Sequence, residues 1–169
     1  MVDPFPRPTV ARASRRDVFV SYLDYFRSRV IERVGALADD EVRRSRLPTG
    51  WTPLELVKHL TFVERRWLEW GFRGEPVEDP WGDQRDGRWF VEASETRDEV
   101  LGALAAQGVR SDAIIDAFDL DALGQPGPRW EGEDPPTLER ILFHLLQEYG
   151  RHVGHLDIVA ELAGGPRGE

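Results

Sequence analysis

Four stretches of the chain place apolar residues at intervals of three and four, the period of an amphipathic helix. In the first, Val18, Phe19, Tyr22, Leu23, Phe26, Val30, Val34 and Leu37 keep that spacing, and Ser14 stands where a cap is needed. The second opens with Thr52-Pro53-Leu54-Glu55, a capping box with proline at the first helical position. It is expected to run from Pro53 to about Phe72, with Leu56, His59, Leu60, Val63, Trp67 and Trp70 on one face. A third helix is expected from Ser94 or Thr96, where Thr96 and Glu99 form another capping box. Val100, Leu101, Leu104, Ala105, Ile115 and Phe118 are its inward face, and Gly108 marks a weak point or bend. The fourth spans Pro136 to Ala163, with Gly164, Gly165 and Pro166 ending it.

Between these lie two long connections, residues 74–94 and 119–135, rich in Gly, Pro and Asp. Loops of this length without regular structure are usually functional or mobile. Trp51, Trp81, Trp89 and Trp130 fall in connections, where each either lines a pocket mouth or pins its loop; Trp67 and Trp70 read as core. Residues 1–13 read as an extended arm. No segment alternates convincingly enough to be called a strand, and no repeat is visible. The expected fold is all-α, one four-helix bundle with long inter-helix connections, covering residues 1–169 as a single domain.

A length of 169 residues suits one domain with a real core. The net charge of −9 argues against a nucleic-acid partner, which calls for a basic surface. Arg15, Arg16, Arg27, Arg29 and Arg33 share the first helix, and a solvated face is the expected explanation. No apolar run is long enough to span a membrane and the N-terminus has no apolar leader, so a cytoplasmic protein without a membrane partner is expected. Lys58 is the only lysine among 22 basic residues, a skew that points to a GC-rich genome. Cysteine is absent, so any thiol chemistry takes its thiol from outside, and any metal is held by His, Asp or Glu.

The chemistry concentrates on the last helix. His144, Glu148, His152 and His155 fall within an arc of roughly 80°, at the edge of the face carrying Ile141, Leu145, Leu156 and Val159. Burying imidazoles and a carboxylate is costly unless they are paired or bound to metal. Glu148 and His152 are one turn apart and can share an ion, and the core-facing His59 can complete a set of three. Two imidazoles and one carboxylate suit zinc, iron or nickel, and leave a coordination position for water or substrate. His144 can instead pair with Glu148, and His155 can assist from beside the ion, in acid–base work, or meet substrate. Glu64, Arg65 and Asp157 read as helix–helix ion pairs.

Two segments, GWTPLELVKHLTFVERRWLEWGF (50–72) and EYGRHVGHLDIVAEL (148–162), resemble the DinB/YfiT-like superfamily of metalloenzymes, in particular an actinobacterial branch. The resemblance implies a four-helix bundle, often dimeric. It implies a metal site with one histidine from the second helix, here His59, and a pair from the last helix, at positions 148 and 152. The first of that pair is usually histidine and is Glu148 here. This departure resembles the mycothiol-dependent maleylpyruvate isomerase branch, whose site is His, Glu, His around zinc. Members of the superfamily are linked to low-molecular-weight thiols, mycothiol among them. The isomerase carries a further C-terminal domain that contributes to its active site. This chain ends soon after its last helix, so maleylpyruvate isomerisation itself is not expected.

The expectation is a divalent-metal enzyme, zinc first with nickel or iron as alternatives, using a mycothiol-type thiol on a small-molecule substrate in a transferase or isomerase reaction. A homodimer is expected. A metal-dependent hydrolase on the same site is the alternative, and a non-catalytic helical binding or stress-response module is the third reading.

Overall fold

The computed structural model describes residues 5–165. The first residues of the expected arm and Pro166 lie outside them. Helix α1 is Arg15–Ala36, capped by the Ser14 side chain on the Asp17 amide. Helix α2 is Pro53–Glu64, and both halves of its Thr52–Glu55 capping box are formed. Helix α3 is Arg97–Ala117, its start decided in favour of the Thr96–Glu99 box. Helix α4 is Leu138–Leu162, capped by Thr137. It ends at Gly164 with φ 77°, and the Gly165 and Gly164 amides donate to the carbonyls of Ala160 and Glu161. Those two bonds are the Schellman arrangement, and the positive φ is why glycine stands there.

The four helices form one bundle, as the periodicity predicts. Their order around it is α1, α3, α2, α4, so helices adjacent in sequence in the first and second halves of the chain stand on diagonals. Leu23, Leu60, Leu104, Leu142, Leu145 and Leu156 are fully buried at its centre. A buried ionic network joins the helices across this core. Arg27 on α1 donates to both carboxylate oxygens of Glu64 on α2, at 2.8 and 3.0 Å, and to Asp112 on α3 at 2.8 Å.

Several expectations need correction. Arg27 and Arg33 are not on a solvated face; they are 5% and 4% exposed, and Arg33 pairs with Asp157 on α4. Gly108 lies within the unbroken α3. It is a slot, since a Cβ there would lie 3.0 Å from Cδ of Arg27. Ala105 is exposed rather than inward, and Arg65 pairs along its own helix with Glu69 at 3.9 Å.

The second helix covers the expected length but changes winding. From Arg65 to Phe72 it is a π-helix. This winding puts more residues in each turn, so a 3.6-residue extrapolation from His59 drifts. Trp67 and Trp70 consequently sit half-buried at the edge rather than in the core. At Gly71 the backbone passes so close to the Trp130 ring that a Cβ would lie 3.0 Å from it.

The 74–94 connection contains a two-stranded antiparallel hairpin, Gln84–Arg85 (β1) and Arg88–Trp89 (β2). Asp86 and Gly87 at its tip have φ of 52° and 73°, as a type I′ turn requires. The expectation of no strand was therefore wrong, because strands of two residues are too short to show alternation. The Asp-Gly pair was the available signal.

Candidate metal centre

The bundle geometry brings His59 on α2 beside Glu148 and His152 on α4. One ligand atom from each of the three lies within 4.8 Å of the others. These are the three residues the spacing and the resemblance single out. His152 is 5% exposed, and its Nε2 lies 3.1 Å from Oε2 of Glu148. His144, one turn earlier, places its Nε2 3.4 Å from Oε1 of the same carboxylate. Hydrogen bonds from His144 and His152 hold the Glu148 carboxyl well below the usual carboxylate range, so it is ionised. Burial holds His59 below the ordinary imidazole value, against the opposing pull of Asp83. A neutral imidazole and an ionised carboxylate are the forms that bind metal.

The donor set fits a divalent ion on a second count. Nδ1 of His152 is buried and has no hydrogen-bond partner among the described residues. A buried unsatisfied polar atom is uncommon in a native fold, and it sits here on one of the three clustered residues.

His155 does not join the cluster. It is exposed, with its ring centroid 5.7 Å from that of His152 and 6.4 Å from that of Trp51. Burial, His152 and Arg151 lower its pKa from the ordinary value.

Two aromatic walls frame the site. Trp89, at the end of the hairpin, stacks on the His59 ring at 4.2 Å with planes 20° apart. Trp67, on the π-helix, lies 4.3 Å from the His144 ring. A cavity of about 300 Å³ opens on the first wall, lined by Thr49, Trp51, Glu55, Arg88 and Trp89. A larger one, about 570 Å³, opens on the second, lined among others by Trp67, Trp130, Asp134, Arg140, His144 and Gln147. Each long connection thus supplies a wall to one cavity. Trp130 does both jobs expected of a loop tryptophan, being 8% exposed and donating its indole N–H to the Gln125 carbonyl. Trp81 is 46% exposed, with the Arg66 guanidinium over its ring.

Asp83 is the contact that sequence reasoning missed. Its carboxylate is fully buried, and Oδ2 lies 2.9 Å from Nδ1 of His59. Arg66 donates to both of its oxygens, at 2.6 and 3.2 Å. Asp83 is one of several acidic residues in a loop 24 positions from His59, and no periodicity links the two.

No curated protein matches the sequence. Among solved structures, the chain is similar to YfiT from Bacillus subtilis, described as a probable metal-dependent hydrolase with an unusual four-helix bundle topology. The two are 16% identical, with a TM-score of 0.65 over 95% of this chain and 94% of that one. At that identity the likeness shows the fold, and the fold agrees with the bundle described above. The family model for mycothiol-S-transferase matches residues 18–165, a span that contains α2, α3, α4, all but the first three residues of α1, and the His59–Glu148–His152 cluster, and the chain belongs to that family.

Proposed function

We propose that this protein is a metal-dependent thiol transferase, in which His59, Glu148 and His152 hold one divalent ion, zinc by preference. The observation that carries the reading is the convergence of three metal-competent side chains from two helices at the edge of the core. Membership of a family named for mycothiol S-transfer supports the choice of reaction. The absence of cysteine fits it, since the sulfur then comes wholly from the cosubstrate.

When bound, a divalent ion of this kind supplies Lewis acidity that turns an entering thiol into a thiolate at neutral pH. The chain's own residues do the rest. Three protein ligands leave a position for an outside group. Glu148, ionised and flanked by His144 and His152, supplies one of the two negative charges that would balance a divalent cation, and an entering thiolate would supply the other. The two cavities provide separate room for the thiol's hydrophilic body and for an electrophile. We assign the thiol to the larger cavity, whose tryptophans and polar side chains suit a hydroxylated ligand. In the transfer, the sulfur–hydrogen bond is lost and a sulfur–carbon bond forms on the electrophile. The leaving group departs with its bonding pair. We assign the thiol proton to His155, whose exposed ring lies 5.7 Å from that of His152 and whose lowered pKa favours the neutral, proton-accepting form.

The test is elemental analysis of untagged protein, wild type beside His59→Ala, followed by turnover of an alkyl halide or epoxide with and without mycothiol. Near one ion per chain, lost in the variant, with thiol-dependent turnover, supports the proposal. Metal with thiol-independent ester or amide hydrolysis replaces it with a hydrolase. Failure of the wild type to take up Zn²⁺, Ni²⁺ or Fe²⁺ overturns it in favour of a non-catalytic module.

A further inference from the structure

His59 is gripped on its edge and on its face by one loop. Asp83 meets the ring at Nδ1, and Trp89, six residues on, stacks against its plane. The amide of Phe90 donates to the Asp83 carbonyl at 2.8 Å, which closes the hairpin between them. Asp83 is fixed in turn by Arg66 of the π-helix, whose guanidinium also donates to the Pro80 carbonyl at 3.0 Å. Asp83 and Arg66 are 0% and 3% exposed. A fully buried carboxylate with a paired arginine at both oxygens is ionised, and an ionised carboxylate only accepts hydrogen bonds. Nδ1 of His59 must therefore carry the proton, and the ring's lone pair lies at Nε2.

We propose that Asp83 is a positioning residue. It fixes His59 in the Nδ1–H tautomer, which leaves Nε2 as the ring's lone-pair donor for an ion shared with Glu148 and His152. A carboxylate behind a ligating imidazole sets its tautomer and raises its basicity, and losing such a partner weakens metal binding. The π-helix has a part in this. It sets Arg66 where one guanidinium spans Asp83 and Pro80, so the loop and the helix carrying His59 are locked together. The consequence for metal rests on the ligand set proposed above; the tautomer does not, and the two are separable by experiment.

The experiment is long-range ¹H–¹⁵N NMR of the histidine rings in the metal-free full-length protein at neutral pH, followed by titration with Zn²⁺, for wild type and Asp83→Asn. In the wild type, His59 is expected as the Nδ1–H tautomer. In Asp83→Asn that preference is lost and the Kd for Zn²⁺ rises about 10- to 100-fold. A wild-type ring protonated at Nε2 overturns the proposal, and this reading needs no variant to fold. A folded Asp83→Asn protein with unchanged tautomer and unchanged Kd also overturns it, leaving Asp83 as a loop anchor only. If the wild type shows the Nδ1–H tautomer but binds no Zn²⁺, the ligand set fails while the tautomer assignment to Asp83 is supported.

Discussion

Tyr149 on α4 donates its phenolic hydroxyl to Oε1 of Glu64 on α2, at the centre of the bundle, one residue from Glu148. Both side chains are fully buried. Burial and the Glu64 charge raise the Tyr149 pKa well above its ordinary value, so the phenol keeps its proton and stays a donor. The bond joins the two helices that carry the metal-competent cluster, and so sets how they face each other.

Tyr149→Phe removes one bond to a charged acceptor that Arg27 still holds with two. The expected loss is about 1.5–3 kcal/mol of stability. Arg27→Met leaves the Glu64 carboxylate buried without its counter-charge, and the expected loss is about 3–5 kcal/mol. Urea denaturation of both variants checks the order. A larger loss for Tyr149→Phe than for Arg27→Met would show that the tyrosine, not the ion pair, dominates the network.

Two glycines of α3 should respond oppositely to alanine. At Gly102 an added Cβ meets nothing within 4 Å among the described residues, and the helix gains about 0.5–1 kcal/mol from alanine. At Gly108 the same carbon meets the Arg27 side chain at 3.0 Å. Arg27 cannot retreat without loosening its bonds to Glu64 and Asp112, so overpacking of about 1–3 kcal/mol outweighs the helix gain. Thermal melts should show Gly102→Ala above wild type and Gly108→Ala below it.

The capping box at the start of α3 gives a pH dependence of known sign. The backbone amide and the hydroxyl of Thr96 both donate to the Glu99 carboxylate, and these bonds lower its pKa. A carboxyl whose pKa is lower folded than unfolded stabilises the fold above its unfolded value. That stability is lost as pH falls through the lowered folded value. Glu99→Ala should therefore melt below wild type at neutral pH, and the gap should narrow as the pH drops beneath the ordinary carboxylate range. A gap independent of pH would place the effect in helix propensity instead.

Metal removal should destabilise the wild type alone. With Zn²⁺ at 100 times its Kd, binding to the folded state adds about 2.7 kcal/mol, several degrees in Tm for a chain of this size. A chelator should abolish that increment in the wild type and leave His152→Ala unaffected, with its far-ultraviolet circular dichroism unchanged. An identical chelator response in the variant would remove His152 from the site.

The bundle was legible because its signals are local. Thr52 with Glu55, Thr96 with Glu99, and Gly164 satisfy backbone groups within a few residues of themselves, and a 3.6-residue stripe needs no partner to be recognised. The same locality explains the errors. The π-helix spans Arg65–Phe72 where Gly71 passes close to Trp130, a residue 59 positions away, and within it Trp67 and Trp70 are only half-buried. Arg27 and Arg33 looked like surface charges because their partners, Glu64, Asp112 and Asp157, lie on other helices.

For the site the division is similar. By itself the sequence determined the four helices, and the register that puts Glu148 and His152 on one face a turn apart, since helical spacing fixes both. Only the tertiary structure brought His59, already offered as the third member, within reach of that pair, left His155 at the rim, and set Asp83, held by Arg66, behind His59. Those relations depend on how helices and a hairpin pack against one another, and packing is settled by shape and buried charge across long separations that no periodicity records.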